Sequence, residues 1–221
     1  LVSSRLDEKK NIIGVVKAYL ENNELNKRAN LVLCFRGIND PAADILKISK
    51  EEQIVLRKIL KIIELGHIQE YVHFLNIGSQ LELAATYRYF AQRCSVFALT
   101  SLYEPFGLAP LEAAATGLVP VVTKNGGPSE IFSDGSGVLV DPTSSKNISK
   151  GLIDGLNRYS EISKNAMQLV KEKYTWRQTA NRYLHSINDV INSKQKIGGV
   201  EQIKLNDTEL IYDYLKSIAD R

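Results

Sequence analysis

Short apolar runs alternate with longer amphipathic stretches along the first two thirds of the chain. Runs rich in β-branched and aromatic residues fall at 30–37 (NLVLCFRG), 71–75 (YVHFL), 95–100 (SVFALT), 118–123 (LVPVVT) and 137–142 (GVLVDP), each of strand length. Between them the apolar positions recur with helical spacing, which predicts helices at about 11–22, 50–65, 80–92, 109–116, 128–132 and 146–157. Strands that alternate with helices imply a parallel sheet covered on both faces, a doubly wound, Rossmann-like α/β layer. In such a sheet, ligands bind beyond the carboxyl ends of the strands.

After residue 142 the strand pattern stops. Helical spacing continues over 146–157, 160–173 and 176–192, the last opened by YTWRQT with Thr175 as its N-cap. SKQKIGG (193–199) reads as a flexible break, and Asp207 is placed to cap a final helix near 208–219. Leu210, Ile211, Tyr214, Leu215 and Ile218 form one apolar stripe on that helix, which needs a partner surface. The domain reading is therefore 1–192 for the sheet domain and 193–221 for the break and terminal amphipathic helix.

Composition narrows the function. The chain has 221 residues, 44% hydrophobic and 24% charged, enough for a sizeable core. Its 28 basic and 25 acidic residues leave a net charge of +3, with no Lys/Arg run and no basic-aromatic interleaving, which argues against nucleic acid. No apolar run reaches the ~20 residues of a membrane-spanning helix. Leu1 is not an initiator Met and no secretory leader pattern follows it, so the start reads as internal to a longer chain. Cys34 and Cys94 lie in apolar segments without CxxC spacing and read as buried, reduced thiols of a cytoplasmic protein.

The candidate chemistry lies in two clusters. In SLYEPFGLAPLEAAATGLVPVV (101–122), Pro110 suits a helix start and Gly117 a helix end. Phe106, Gly107 and Leu108 offer backbone N–H groups at that start, and with the helix dipole they make a seat for phosphate. Glu112, expected in the first turn, would repel a phosphate unless it points past it toward neutral hydroxyls such as a ribose diol. Glu104 can serve hydroxyls on the other side. The competing reading makes Glu112 a charge that complements the helix dipole and Glu104 a solvated loop residue. The second cluster is SSRLDEKKN (3–11). There Asp7 is the expected N-cap and Lys9 and Lys10 fall in the first helical turn, where cations are disfavoured and call for an anion. A diphosphate would supply it, gripped by Arg5 and Lys10; solvated surface lysines are the alternative.

Taken together, the Arg5/Lys10 pair, the Glu104/Glu112 pair, EPFGLAPLEAAATGLVPVVTKNGGPSEI and GVLVDP resemble the C-terminal, donor-binding domain of retaining GT-B glycosyltransferases of family 4. The wording SRLDEKKN, VFALTSLYEPFGLAPLEA and TKNGGPSEI is most similar to that of the sucrose-phosphate synthases, over roughly residues 2 to 190. The resemblance implies that Arg5 and Lys10 hold the diphosphate of UDP-glucose without a metal, helped by the N–H groups of Gly107 and Leu108. It implies that Glu112 binds the ribose and Glu104 the glucose hydroxyls, with uracil near Gly37 and Leu75 and with Gly126 and Gly127 of the NGGP segment lining the same mouth. Retention in the family is explained by front-face attack, so the two glutamates are not a hydrolase pair. The sugar-phosphate acceptor, fructose 6-phosphate, would bind an N-terminal domain that this sequence does not include, and the chain alone would be inactive. Another family 4 specificity, such as GDP-mannose-dependent mannosylfructose-phosphate synthesis, and a non-catalytic nucleotide-sugar-binding module are the alternatives. His67, His73 and His185 match no catalytic position.

Overall fold

The computed structural model describes residues 1–192 and 205–219. The apolar runs become parallel strands: β1 (Val2–Ser3), β2 (Leu31–Phe35), β3 (Val72–Asn76), β4 (Val96–Leu99), β5 (Val119–Thr123) and β6 (Val138–Val140). Helices α1 (Ile12–Leu20), α2 (Asn23–Arg28), α3 (Pro41–Asp44), α4 (Lys50–Leu65), α5 (Gln80–Ala91), α6 (Leu108–Ala115), α7 (Gly127–Ile131) and α8 (Ser145–Asn157) connect or follow them. α9 (Tyr159–Lys173), α10 (Trp176–Asn192) and α11 (Leu205–Ala219) complete the order. The chain divides into two units, Leu1–Gln168 and Leu169–Arg221.

Hydrogen bonding makes two three-stranded sheets, β1-β2-β3 and β4-β5-β6. They meet at Leu1, whose amino group donates to the Val96 carbonyl and whose carbonyl accepts from Ala98 N–H, both at 2.8 Å. The spatial order is thus β3-β2-β1-β4-β5-β6, the doubly wound order in which a ligand crevice opens beside the first strand, between β1 and β4.

Each covering helix is explained by its own sequence. Ser49 and Glu52 form a capping box at the start of α4, and Val55, Leu56, Ile59 and Ile63 are its buried stripe. Ile12, Val15, Val16 and Tyr19 of α1 and Ile148 and Leu152 of α8 join that stripe, with Leu31, Leu33, Val96 and Ala98, in one core. Strand residues alternate faces, and on the opposite face Tyr87 of α5 meets Phe97 edge-on, ring centroids 5.4 Å apart. α8 lies close to the sheet through Gly151 and Gly155. A Cβ on Gly151 would stand 2.3 Å from Val140 Cγ1, so that position needs glycine for close approach and not for its φ.

Several expectations shift. The first helix divides: a 3₁₀ turn over Glu8–Lys10, then Asn11 in the left-handed region at φ 52°, then α1. Asp7 caps the short turn, accepting from Lys9 N–H at 2.8 Å, so Lys9 and Lys10 complete a 3₁₀ turn and do not open an α-helix. α6 starts at Leu108 off Gly107, which places Pro110 third and Glu112 fifth, in the second turn. The glycine's positive φ of 101° turns the chain into the helix earlier than proline alone suggests. Cys94 is exposed, because the left-handed residue that closes the end of α5, at φ 51°, directs its side chain outward; Cys34 is buried and both are free thiols.

In the second unit Thr175 caps α10, accepting from Gln178 N–H at 3.2 Å. α11 begins at Leu205, which puts Asp207 inside its first turn and not before it. Ile211 and Tyr214 of the expected stripe are exposed, Leu215 and Ile218 half-buried. The break at 193–199 and the Leu210 side chain lie outside the described residues.

A direct check of the α8 contact is Gly151→Ala. Helix propensity would favour alanine by up to about 1 kcal/mol, whereas overpacking against Val140 costs about 1–3 kcal/mol. The expected net result in urea denaturation is a loss of about 1–2 kcal/mol. Combined with Val140→Ala the two losses are expected to fall short of additivity by more than about 0.5 kcal/mol; full additivity would mean the two residues do not press on each other.

Candidate functional site

The carboxyl ends of β1 and β4 are stitched together by one residue. Asn11, at the joint between the 3₁₀ turn and α1, donates its side-chain N–H groups to the carbonyls of Thr100 (3.0 Å) and Pro142 (2.7 Å). Leu102 N–H donates to the Lys9 carbonyl at 2.8 Å. Asparagine suits this place because its short amide tolerates the left-handed backbone that α1 and the turn require. These contacts hold the Lys9–Lys10 turn over the loop that leaves β4.

Lys10 and Glu104 consequently face each other. Lys10 Nζ lies 2.7 Å from Glu104 Oε2, with the side chains 23% and 13% exposed. The anion that a lysine-bearing turn calls for is thus met within the chain, by one of the two glutamates read as candidates. Removing one partner would leave a partly buried charge uncompensated.

Glu104 is also fixed through its backbone. Its N–H donates to the Asn125 carbonyl (3.1 Å) and its carbonyl accepts from Gly127 N–H (3.0 Å), a one-residue parallel bridge. The glycines of NGGP are explained by this approach. A Cβ on Gly126 would stand 2.2 Å from the Glu104 carbonyl oxygen, and one on Gly127 2.5 Å from that of Phe106. The NGGP loop is therefore wrapped on the main chain of Glu104–Phe106.

Beyond Glu104, Phe106 and Leu108 are exposed on either side of Gly107. The first N–H groups of α6 are those that a helix leaves without internal partners. Glu112 lies one turn further in. It is exposed, and Gln80 Nε2 donates to its Oε1 at 3.4 Å. Although the side chain is open to solvent, the protein around it displaces part of the carboxyl's hydration and raises it above the usual carboxylate value.

Arg5 is exposed and lines a separate cavity of about 330 Å³ at the carboxyl ends of β1, β2 and β3, with Arg36, Gly78 and Gln80 among its walls. Gly37, at φ 79°, closes the turn after β2 and donates its N–H to Asn76 Oδ1 at 2.7 Å. Leu75 stands apart. Within β3 it pairs with Cys34 of β2 and lines a larger cavity elsewhere, while Ile77 and Gly78, two and three residues on, line the cavity that holds Arg5. The strand runs one residue past the expected end, to Asn76, and this carries the turn beyond Leu75.

Two contributors escape a reading by charge. Asn11 carries none, and its signal is the residue type between a capped turn and a helix. Gln80 opens α5 after the N-cap Ser79, and the SQLE wording of a capping box marks that start.

A doubly wound parallel sheet, with Lys10, Glu104 and the start of α6 beside the point where its strand order reverses, defines a protein of the Rossmann-like α/β class. The chain belongs to the group 1 glycosyl transferases: that family's model matches residues 1–176. Among its relatives, Sucrose-phosphate synthase 4 of Arabidopsis thaliana is 33% identical over 224 residues, covering all of this chain and 21% of the relative. Sucrose synthase 2 of Zea mays is 31% identical, covering 82% of this chain and 23% of the relative. The chain thus spans about a fifth of the length of these relatives. The structure of the Anabaena HepE protein in complex with UDP shares the fold, with a TM-score of 0.68 and 20% identity over 85% of this chain and 48% of that one.

Asn11 is open to a two-variant test. Asn11→Gly keeps the left-handed backbone and loses the two side-chain bonds; Asn11→Ala loses both. The expected stability losses in urea denaturation are about 1–3 kcal/mol for the glycine variant and about 1 kcal/mol more for alanine. Equal losses would show that the backbone conformation carries no cost.

Proposed function

We propose that this chain is the donor-binding half of a retaining hexosyltransferase that uses UDP-glucose, acting with a second domain that binds fructose 6-phosphate. The observation that carries the proposal is the convergence on one crevice of Lys10, Glu104, the start of α6 and Glu112, with Arg5 in the adjoining cavity. A diphosphate is the ligand that matches two cations and a row of helix-start amides at once. A ribose diol is neutral and can share the same neighbourhood with an ionised Glu112.

In this reading Arg5, Lys10 and the N–H groups of Gly107 and Leu108 stabilise the charge that grows on the leaving UDP. Glu104 accepts from glucose hydroxyls and orients the reacting carbon. The acceptor hydroxyl attacks that carbon from the face that UDP leaves: its oxygen bonds to C1, the bond from C1 to the phosphate oxygen breaks, and the proton passes to a phosphate oxygen. The similarity to sucrose-phosphate synthase supports fructose 6-phosphate as acceptor. The comparable similarity to sucrose synthase favours, as a second reading, an unphosphorylated sugar in its place. The acceptor domain, and a cytoplasmic setting, belong to this proposal.

The Lys10–Glu104 pair sharpens what binding requires. Lys10 must turn from a carboxylate to a phosphate, or serve both, so donor binding works against an ion pair already made.

Calorimetry with UDP and UDP-glucose tests the whole. Binding of UDP is expected, with ADP-glucose and GDP-mannose weaker; absence of heat and of chemical-shift change with every nucleotide overturns the donor site, and preference for GDP-mannose moves the function to a mannosyltransferase. Arg5→Ala and Lys10→Ala should each weaken UDP by about 1.5–3 kcal/mol, the worth of a hydrogen bond to a charged group.

The glutamates separate in the same assay. Glu112→Ala is expected to weaken UDP and UDP-glucose alike. Glu104→Gln releases Lys10, so UDP should bind about two- to fivefold tighter, the scale of a partly exposed ion pair, while the ratio of UDP-glucose to UDP affinity falls. An unchanged ratio removes Glu104 from the sugar.

A further inference from the structure

Under the crevice lies a buried polar group to which the donor site assigns no task. Gln80, Leu83 and Tyr87 recur on α5 at intervals of three and four residues, so they share one face of the helix. Gln80 and Leu83 line the cavity that holds Arg5, and the next turn of that face carries Tyr87, 1% exposed, against the sheet. Its ring meets Phe97 of β4 edge-on. Side chains on a helix lean toward its N-terminus, so the hydroxyl is carried back toward the cavity end of α5.

That hydroxyl is fully buried and makes no hydrogen bond of normal geometry. A buried O–H in this condition is destabilising until something accepts its proton. The polar groups around it are the Ser3 hydroxyl at the end of β1, the Cys34 thiol opposite Ser3 on β2, and the Glu112 carboxyl of α6. Burial holds the thiol up at about 11 and the phenol higher still, so both stay protonated near neutral pH. The carboxylate is the strongest acceptor of the set.

The complementary need is at Glu112. Among the described residues its side chain enters no ion pair and accepts only the 3.4 Å contact from Gln80. Helix α5 thus brings two donors toward one carboxylate: an amide at its first residue and, two turns on, a phenol beneath. We propose that Tyr87 is a positioning residue for Glu112: its hydroxyl donates to one carboxylate oxygen and leaves the other directed into the crevice for the ribose hydroxyls of a nucleotide sugar. Turning Glu112 toward the sheet breaks no strong bond. A bond from Tyr87 to Ser3 would leave Glu112 as it is, and a charge-assisted bond is roughly twice as strong as a neutral one. The ribose role rests on the donor-site reading; the bond between Tyr87 and Glu112 does not.

Tyr87→Phe tests this, since it removes the hydroxyl and keeps the ring on Phe97. The Glu112 carboxyl is titrated by carbon-13 NMR in the nucleotide-free protein. Its pKa is expected to rise by about half a unit or more in the variant, because a donor to the ionised form is lost. The melting temperature should stay within about 3 °C of the original. An unmoved Glu112 titration overturns the proposal, and a lower melting temperature beside it makes Tyr87 a packing residue only. In the unmutated chain the Tyr87 Cζ resonance should shift with the same midpoint as Glu112; a resonance flat across that range overturns it as well. UDP is expected to bind the variant about three- to tenfold more weakly. In a Glu112→Ala background the same substitution should change UDP affinity by less than about twofold, and an equal loss in both backgrounds overturns the proposal. If UDP binds neither form, the donor-site reading fails, while the two titrations still decide whether Tyr87 donates to Glu112.

Discussion

The structure turns on a strand of two residues. A parallel sheet must satisfy both edges of each interior strand, and β1 is the one strand that joins the two halves of this sheet. Everything placed at the crevice inherits its position from that seam. The Ser4–Arg5 turn leaves β1 directly, the Lys9–Lys10 turn follows, and Asn11 then ties the path to Thr100 at the end of β4 and to Pro142 past the end of β6. Three backbone segments from distant parts of the sequence are thereby held by one amide side chain, at the point where the order of the strands reverses.

The site built on this seam satisfies its own charges. Lys10 and Glu104 are far apart in sequence, belong to opposite halves of the sheet and meet at 2.7 Å. Neither is fully buried, so the pair contributes modestly to stability, of order 1 kcal/mol or less. Its larger effect is to hold two long side chains at the mouth in a defined place. The backbone of Glu104 is fixed more firmly still, by the bridge to Asn125 and Gly127, which only a pair of glycines permits.

Much of the fold was legible because apolar periodicity and turn chemistry agreed. Five strands stood out by composition, and the helical spacing expected at about 50–65 is α4, Lys50–Leu65. The candidate residues were legible by charge and by glycine. What escaped were matters of backbone conformation: the left-handed Asn11 that divides the first helix, the Gly107 turn that starts α6 two residues before Pro110, and the outward turn of Cys94. Each depends on a φ value that several residue types can adopt, and only tertiary contacts choose. The short helices α2 and α3 escaped for a related reason, since six- and four-residue helices carry too few apolar positions to show a period. Leu75 lines a different cavity from Arg5, because β3 runs on to Asn76 and the turn that reaches Arg5 begins only at Ile77.

In the proposed donor site, position in the fold gives the two glutamates different work. Glu104 is bound to a cation and locked through its main chain, so its carboxylate is oriented before any ligand arrives. Glu112 sits on the second turn of α6, exposed and held only by a 3.4 Å contact from Gln80, and its carboxyl takes a proton more readily than an ordinary glutamate does. A group whose folded-state pKa is raised favours the folded state less as pH rises through that value, so ionised Glu112 is slightly unfavourable in the free protein. Hydroxyl donors brought to it would offset that cost. A carboxylate already compensated by lysine gains less from the same donors. The pair therefore divides by how far each charge is satisfied beforehand: the pre-paired glutamate suits orientation, and the under-satisfied one suits affinity.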